Sequence, residues 1–314
     1  MGNRLDQTIA AKENEGLSLL DEGKLHLNRA LKYLSSVNWS VLIRSSSFWF
    51  AIGTIVGMTL MFWPLIKATG QTWMVNDYYS HGFIVPLLIA WQLKIRYKEW
   101  TEIPIGTGYA ALFLFVPIIF LQYIGYVGEF WLIQCIMFVS AILTSLWLLF
   151  GFKRAWFITL PIVFMFFALP VWGAFIDGYT NTLQILSTTV AEKLLSLFGF
   201  APLRLSPTDI QLNSYALTVA VPCSGLKLMV AVACFTTHFV LIARKELSFN
   251  ILMFILIVPL CMFINGLRIA LIGVVGELQG SEAALTFHDY SGYITLLICF
   301  FILFKFARLF GWKD

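Results

Sequence analysis

The chain has 314 residues, of which 59% are hydrophobic and 12% are charged, and its mean hydropathy is +0.82. Soluble proteins carry about 25% charged residues, so this composition excludes an ordinary soluble domain and predicts an integral membrane protein. The net charge of +4 gives no reason to expect nucleic-acid binding and is typical of the loop lysines and arginines that orient a membrane protein.

The first 46 residues are polar and mixed in charge. They lack the apolar stretch of a secretory signal peptide, so we predict a cytoplasmic extension over 1–46 and one transmembrane domain over 47–314. Within the extension, the stretch GLSLLDEGKLHLNRALKYLSSV has apolar residues at helical spacing. It forms either an amphipathic helix on the membrane surface or a solvated helical tail.

Eight apolar runs follow, and most of them approach or exceed the roughly 18 residues that mark a membrane-spanning helix. Because the runs are continuously apolar, they indicate helices and not the alternating strands of a barrel. The predicted fold class is therefore an all-α polytopic membrane protein. The predicted spans are 47–66, 79–93, 105–125, 130–151, 155–175, 224–243, 248–267 and 290–309.

The positions of lysine and arginine predict the orientation, because these residues accumulate in cytoplasmic loops. With eight spans and a cytoplasmic N-terminus, every basic cluster between the spans falls on the cytoplasmic side, and the C-terminus is cytoplasmic as well. The basic residues left on the outer side are Lys67, Lys193, Arg204, Lys227 and Arg268.

The longest outer segment, 177–222, contains two kinds of pattern. The stretch YTNTLQILSTTVAEKLLSLFGF has an apolar face at helical spacing, with polar residues that include Thr180, Gln184, Ser187 and Glu192. We expect it to form a helix lying on the outer surface. The following stretch, APLRLSPTDIQLNSYALTVAVP, alternates apolar and polar residues and predicts a short extended or hairpin-like element. Together the two elements could cover a site.

Five cysteines are present, without CxxC pairs or metal-ligand spacing, and only Cys223 lies outside an apolar run. In VPCSGLKLM this cysteine directly precedes the sixth predicted span, where a helix N-terminus favours an anion and lowers a thiol pKa. Lys227, four residues on, is expected to add a positive field, while Ser224 and Gly225 leave the thiol open. The alternative is a buried, inert cysteine.

Arg268 lies at the far end of the apolar run ILIVPLCMFINGLRIALIGVV. A charge near a membrane centre costs at least about 2.5 kcal/mol, so an ionisable residue there is a functional candidate. Asn265, three residues earlier, could hydrogen-bond to the guanidinium. The alternative is an arginine that extends to the interface and anchors the helix.

Two histidines are predicted on the outer side. His288, in FHDYSG, opens the junction before the last span and could exchange protons with Cys223 as an acyl-transfer pair. Asp289 is one possible orienting partner for it. His81, in YYSHGFIVP, supports the site, contacts substrate or simply starts a helix. A histidine alone is more often a structural hydrogen-bonding residue.

The ordered motifs PCSGL, NGLRI and FHDYSG, together with the earlier YYSHGFIVPLL, closely resemble those of the exosortase/archaeosortase family of membrane transpeptidases. The resemblance covers roughly residues 78–304. It implies that Cys223, Arg268 and His288 are catalytic. From their positions in the sequence, we expect five further residues to support them or bind substrate: Lys227, Asn265, His81, Ser224 and Asp289. Val221 and Pro222 stand where bacterial members often have Glu-Ala, and Lys227 stands where arginine is frequent.

The resemblance also implies a substrate and a location. The substrates would be exported proteins whose C-terminal sorting tail, of the PEP-CTERM type, carries a single membrane helix. Cleavage would pass through a thioacyl intermediate, with water or an amine-bearing lipid or glycan as acceptor, and without a metal or an organic cofactor. The expected location is the bacterial inner membrane, with the site on the periplasmic side.

Three other classes compete with this interpretation. A polytopic transporter or permease would use the polar cluster as a substrate site, although transporters place ionisable groups near the midplane and show paired halves, which this chain does not. A membrane-bound O-acyltransferase would need a histidine but no cysteine. A structural scaffold would need none of Cys223, Arg268 and His288.

Overall fold

The computed structural model describes residues 46–106, 108–243 and 246–309. The predicted cytoplasmic extension therefore lies outside the described residues except for Ser46, and the amphipathic helix expected within it stays a prediction. The chain divides into two compact units, residues 1–60 and 61–314. Helix α1 (Ser46–Met61) is the described part of the first unit, and all other elements belong to the second.

The first half of the second unit contains helices only, and Pro64 and Pro86 lie in the first turns of two of them, where proline is tolerated. A 3-10 helix, Asp77–Phe83, separates these two helices. The α-helices are α2 (Trp63–Val75), α3 (Val85–Glu102), α4 (Ala111–Val127), α5 (Trp131–Phe150), α6 (Phe152–Phe157) and α7 (Thr159–Val163).

The second half combines helices with a small sheet. Helix α8 (Gly173–Leu197) leads into strands β1 (Leu203–Arg204), β2 (Asp209–Gln211) and β3 (Ala216–Thr218). A 3-10 helix, Val221–Cys223, then connects the sheet to three long helices. These are α9 (Leu226–Ala243), α10 (Leu247–Gln279) and α11 (Ser281–Leu309).

Four helices of the described chain, α5, α9, α10 and α11, are long and apolar enough to cross a membrane. Helices α1 and α2, interrupted at Phe62, would give a fifth span if they count as one, and α4 is a shorter apolar helix. An all-α membrane fold is thus confirmed, with four or five candidate spans where the sequence predicted eight.

Two predicted spans have a different local structure. The predicted span 155–175 is broken into α6, α7 and a 3-10 helix, Phe164–Phe167, so the expectation of one continuous helix is wrong. Pro161 lies inside this stretch and cannot donate a helical hydrogen bond. The predicted span 79–93 is divided between the 3-10 helix and α3, whose C-terminal half carries Lys94, Arg96 and Lys98.

The three strands form an antiparallel sheet in the order β1-β2-β3, within the segment predicted to be extended. Alternate residues, Ile210, Leu212, Leu217 and Val219, are buried and pack against α8 and α10 in one apolar cluster. Fully burying such a side chain contributes about 1.5–3 kcal/mol, so the sheet is anchored by its apolar face. The Glu277 carboxylate also accepts hydrogen bonds from two backbone amides in the β2–β3 turn.

Helix α8 occupies the place of the predicted surface helix but begins earlier, at Gly173. Two of its polar residues, Thr180 and Ser187, are buried, because α8 packs along α10. Part of the polar face of α8 therefore points into the protein. From the sequence, this helix was expected to lie flat on the outer surface.

Helices α10 and α11 form a long antiparallel hairpin whose turn is the single residue Gly280. The spans predicted at 248–267 and 290–309 lie within these longer helices. Gly280 has φ +87° and ψ 175°, a conformation that is essentially restricted to glycine. No other residue between 268 and 289 interrupts the helices, so both continue past the expected ends.

Candidate active site

Cys223 lies in a tight bend, residues 219–225, between the sheet and α9. Its amide donates to the Ala220 carbonyl at 2.8 Å, and the Ser224 amide donates to the Val221 carbonyl at 3.1 Å, which closes the 3-10 helix. Gly225 then has φ +86°, a left-handed conformation that side chains disfavour. The cysteine therefore precedes α9 by three residues, close to the predicted position at the helix N-terminus.

The main chain of the bend is held by side chains from distant elements. Four of its carbonyl oxygens accept hydrogen bonds from α8, from α10 and from the 3-10 helix before α3. The pairs are Gln184 with Val219, Asn265 with Cys223 at 2.8 Å, Ser187 with Ser224 at 3.0 Å, and Tyr78 with Val221 at 3.3 Å.

His288 approaches the thiol from α11. Its Nε2 atom lies 3.0 Å from the Cys223 Sγ atom, within hydrogen-bonding distance, and its Nδ1 atom lies 3.2 Å from the Asp289 carboxylate. An Nδ1–H that donates to Asp289 leaves Nε2 free to accept the thiol proton. His288 was expected at a loop-to-helix junction, but it lies within α11, in the second turn.

Arg268 projects from α10 toward the same place. Its Nε atom donates to the Ser291 hydroxyl at 2.9 Å, and one terminal nitrogen donates to the His288 carbonyl at 3.1 Å. Its positive charge also acts on the Cys223 thiol, whose pKa it lowers. The guanidinium thus contacts the backbone of the histidine and acts on the thiol through its charge, and the structure brings together the three side chains that the sequence singled out.

The pKa of the Cys223 thiol is raised above its ordinary value of 9.0, mainly because the side chain is buried. The positive charge of Arg268 acts in the opposite direction and lowers the pKa. The prediction of a lowered pKa at the helix N-terminus is therefore wrong: desolvation outweighs the positive field. The thiol is protonated at neutral pH, and the adjacent imidazole can act as its base.

Comparison with known families identifies the chain. A family model described as transmembrane exosortase matches residues 73–305, a range that contains all three side chains. The chain belongs to the transmembrane exosortase family. It is a membrane transpeptidase of the exosortase type. Neither the search of curated proteins nor the search of solved structures gave a match.

In this exosortase, Lys227 was expected to add a positive field at Cys223, but it pairs with a different residue. Its ammonium group forms an ion pair of 3.2 Å with the Asp77 carboxylate, in the 3-10 helix before α3. The two residues line a cavity of about 290 Å³ together with Tyr78 and Pro222. Lys227 is also absent from the interactions that shift the pKa of Cys223. Its position suits a role beside the nucleophile and not a direct contact with it.

Three further residues were predicted to support the site. Asn265 was expected to hydrogen-bond to Arg268, but its amide donates to the Cys223 carbonyl and to the Ser187 hydroxyl. Ser224 is fully buried, and its hydroxyl accepts from the Leu226 amide at 3.4 Å, at the start of α9.

His81 is buried, and its Nε2 atom lies 3.1 Å from the Phe167 carbonyl. Burial lowers the pKa of His81, and the contact with Phe167 raises it to a smaller extent. The ring therefore joins two 3-10 helices, Asp77–Phe83 and Phe164–Phe167, as a neutral group. This geometry suits a structural role better than a role in proton transfer.

Several residues that hold the site were not identified from the sequence. Ser187 and Gln184 were noted only as polar positions of a surface helix, and Ser291 was not singled out. The spacing within α8 did indicate a common face, because Thr180, Gln184 and Ser187 recur at intervals of four and three residues. Among the described residues, no three His, Cys, Asp or Glu side chains come together as metal ligands would.

Proposed function

We propose that this exosortase is a cysteine transpeptidase that removes the C-terminal sorting tail of exported proteins, with Cys223 as the nucleophile. The proposal rests on one observation: the Cys223 Sγ atom lies 3.0 Å from the His288 Nε2 atom, and Arg268 donates to the His288 carbonyl and lowers the thiol pKa. A thiol, an imidazole and a guanidinium are the groups that acyl transfer through a thioester requires.

In the first step, the His288 Nε2 atom removes the thiol proton as the Cys223 sulfur attacks the carbonyl carbon of the scissile peptide bond. The raised pKa of the thiol supports this order, because the sulfur needs a base at the moment of attack. The Asp289 carboxylate, at Nδ1, stabilises the imidazolium that forms.

Arg268 is suited to the charge that develops next. The tetrahedral intermediate carries a negative oxygen, and a fixed cation in a water-poor site stabilises that oxygen more than it stabilises the neutral substrate. Ser291 and the His288 carbonyl hold the guanidinium in place before the reaction. The intermediate then collapses, the C–N bond breaks, and His288 returns the proton to the leaving amine of the tail.

The second step regenerates the cysteine. His288 removes a proton from the acceptor, which attacks the thioester carbon, and the C–S bond breaks with the proton passing back to the sulfur. An amine on a lipid or glycan gives an anchored product, whereas water gives a released one. These steps use side chains of the chain alone.

The proposed substrates are exported proteins whose PEP-CTERM-like tail contains one membrane helix. Membership of the exosortase family supports a membrane-bound protein substrate with a sorting signal. The proposed location is the bacterial inner membrane, with the site on the periplasmic side, as the distribution of lysine and arginine predicts.

The decisive experiment is replacement of the nucleophile. Cys223→Ala is co-expressed with a tail-bearing protein from the same proteome, and the C-terminus of that protein is read by mass spectrometry. We expect the tail to remain attached. The matched control is Cys234→Ala, the same change at a buried cysteine within α9, which is expected to leave processing intact. Removal of the tail by Cys223→Ala at the normal rate would disprove the assignment.

A further inference from the structure

Strand β3 has a free edge. The Leu212 amide bonds to the Tyr215 carbonyl and the Val219 amide bonds to the Thr208 carbonyl, so in the antiparallel register Leu217 faces β2. Because backbone direction alternates along a strand, the N–H and C=O groups of Ala216 and Thr218 point the other way. In the described part of the chain, no strand pairs with that side of β3.

The side chains along this edge leave it accessible. Ala216 and Thr218 are exposed, whereas Leu217 between them is buried in the apolar cluster that also contains Cys223. On its other side, β3 pairs with β2 along its whole length, from Ala216 to Thr218. The outer groups of β3 therefore belong to a strand that is paired on one side and open on the other.

The opposite edge of the sheet is different. Strand β1 lies between Pro202 and Pro207, and its Arg204 side chain donates to Glu192 at 2.7 Å and to the Ser206 carbonyl at 2.9 Å. Prolines and charges are the usual means by which proteins protect an edge strand from pairing. Strand β3 has neither, although it is the edge nearer to the nucleophile in the chain.

The edge of β3 is continuous with the candidate active site. Only four residues separate Thr218 from Cys223, so an extended chain places the edge within about 18 Å of the thiol. Val221 and Pro222, on the way, are exposed. A peptide that is extended along β3 would need only a few more residues to bring a peptide bond to the sulfur.

We propose that the free edge of β3 binds the substrate polypeptide as an added strand and delivers its scissile bond to Cys223. The occupant is an extended segment of the tail-bearing protein, because only another extended main chain matches donors and acceptors that recur every second residue. The inference rests on the proposed function, since it assumes a peptide bond attacked by Cys223. Main-chain pairing supplies affinity, and side chains at alternate positions supply selectivity.

Proline substitution tests the edge. Ala216→Pro and Thr218→Pro each remove one outward N–H and leave the Leu217 bonds to β2 in place. The matched controls, Ala216→Val and Thr218→Val, keep the N–H. With the full-length protein in lipid nanodiscs and the tail-bearing substrate, we expect a roughly three- to tenfold rise in KM for each proline variant, with little change in kcat. The valine variants should keep the native KM if the backbone, and not the side chain, binds substrate.

A second measurement does not depend on how the variants fold. Synthetic substrate peptides carry one N-methyl group at successive positions of the segment before the membrane helix, and each is cleaved by the unaltered protein. An added strand predicts that KM rises with period two along the peptide, because alternate amides face β3 and the others face away. A flat profile, or a rise without alternation, would overturn the inference.

The remaining outcomes separate this inference from the proposed function. If the proline variants have the native KM, the edge does not bind substrate, while cleavage by Cys223 stands. If they alter the oligomeric state without altering KM, the edge pairs with a second copy of the chain and the inference is wrong. Only continued cleavage by Cys223→Ala removes the proposed function itself.

Discussion

The Cys223 thiol lies beside a potential base, His288, but burial raises the pKa of the thiol above 9.0. Deprotonation therefore depends on the two neighbours that favour the thiolate: the Arg268 cation, which lowers the pKa, and His288, which can accept the proton. A protonated cysteine beside an imidazole is protected from adventitious oxidation and alkylation, because the thiolate is the reactive form. Its reactivity is then generated when substrate and base are both in place.

Removal of the Arg268 charge should slow alkylation of Cys223. Arg268→Gln eliminates the influences that lower the thiol pKa, so the pKa rises further and less thiolate is present at any pH below it. Each pKa unit reduces the thiolate fraction about tenfold. The measurement is the rate of iodoacetamide labelling from pH 7 to 10, read on the peptide that contains Cys223. The rate should rise with pH throughout that range in the native protein.

The control for this measurement is Lys227→Gln. Lys227 pairs with Asp77 and does not shift the pKa of Cys223, so its labelling profile should coincide with that of the native protein. If Lys227→Gln slows labelling as much as Arg268→Gln does, the field at the thiol comes from Lys227, and the electrostatic account of the site fails.

Ser291 should act as a positioning residue for Arg268. Its hydroxyl accepts from the Arg268 Nε atom and donates to the His288 carbonyl, so it links the two catalytic candidates. Ser291→Ala is expected to lower kcat about three- to tenfold with KM unchanged, and to move the labelling profile of Cys223 toward that of Arg268→Gln. Ser291→Thr, which keeps the hydroxyl, should restore both. Failure of threonine to restore them would mean that Ser291 only fills space.

At the scale of single residues, the sequence identified the three side chains that meet, because each lies in a short motif that is polar within an apolar stretch. It did not identify their supports. Lys227 and Asn265 were assigned neighbours three or four residues away, whereas their partners, Asp77 and Ser187, come from other elements. Helical spacing reveals which residues share a face of one helix, but not which distant segment packs against that face.

At the scale of elements, the bend at residues 219–225 depends on Gly225. An added Cβ atom there would lie 2.8 Å from the Met262 Cε atom and 3.0 Å from the Asn265 amide nitrogen, and φ is +86°. Gly225→Ala should therefore destabilise the protein by about 1–3 kcal/mol and reduce activity by more than the loss of folded protein explains. Thermal unfolding in detergent and the rate of tail removal check the two effects.

The matched control is Gly178→Ala in α8, where a Cβ atom meets nothing within 4 Å. Alanine is favoured over glycine inside a helix, so this variant should be as stable as the native protein or slightly more so. Equal unfolding temperatures for Gly225→Ala and the native protein would show that the bend tolerates a side chain and would contradict its assigned geometry.

The sequence predicted the type of most elements but misjudged where several of them end. The predicted spans leave out the stretch from Arg268 to Asp289 because it contains charged residues, among them Glu277 and Glu282, yet nothing except Gly280 interrupts the helices there. Hydropathy reports the solvent that a residue prefers, whereas helix continuity depends on backbone hydrogen bonds and on glycine and proline. The same distinction explains the broken stretch around Pro161, which is apolar but not a continuous helix.

For the whole molecule, the lengths of α10 and α11 relate the site to the bilayer. Helix α10 has 33 residues and is about 50 Å long, which exceeds the roughly 30 Å of a hydrocarbon core. Arg268 lies about 32 Å from the Leu247 end of α10, and His288 lies about 32 Å from the Leu309 end of α11. Both side chains are thus one bilayer thickness from the opposite ends of their helices, as expected at one membrane face.

The sidedness of this hairpin can be measured. In a variant with the native cysteines replaced, Leu278→Cys at the hairpin tip should react with a membrane-impermeant maleimide in intact cells, because the site is predicted to face the periplasm. Leu309→Cys, at the other end of α11, should react only after the cells are permeabilised. Leu278 and Leu309 are both highly exposed, at 70% and 82%. Labelling in the reverse order would invert the predicted topology.

The number of spans stays a prediction. Orientation from lysine and arginine gave a consistent eight-span arrangement, while four or five helices of the described chain meet the length and hydropathy of a span. The difference arises from segments such as α3, whose basic residues exclude a purely apolar span, and α4, which has only 17 residues. The sheet, in contrast, follows directly from local alternation of apolar and polar residues.

Distant side chains hold the bend around Cys223 by hydrogen bonds to its main-chain carbonyl oxygens. These carbonyl oxygens are present whatever side chain occupies position 223. The reactive group can therefore be exchanged chemically without redesigning its surroundings. Selenocysteine at this position would keep the same main-chain geometry. So would diaminopropionate, which would form a stable amide in place of the proposed thioester. Such a variant would capture the acylated state for isolation, and with it the identity of the proteins that this enzyme processes.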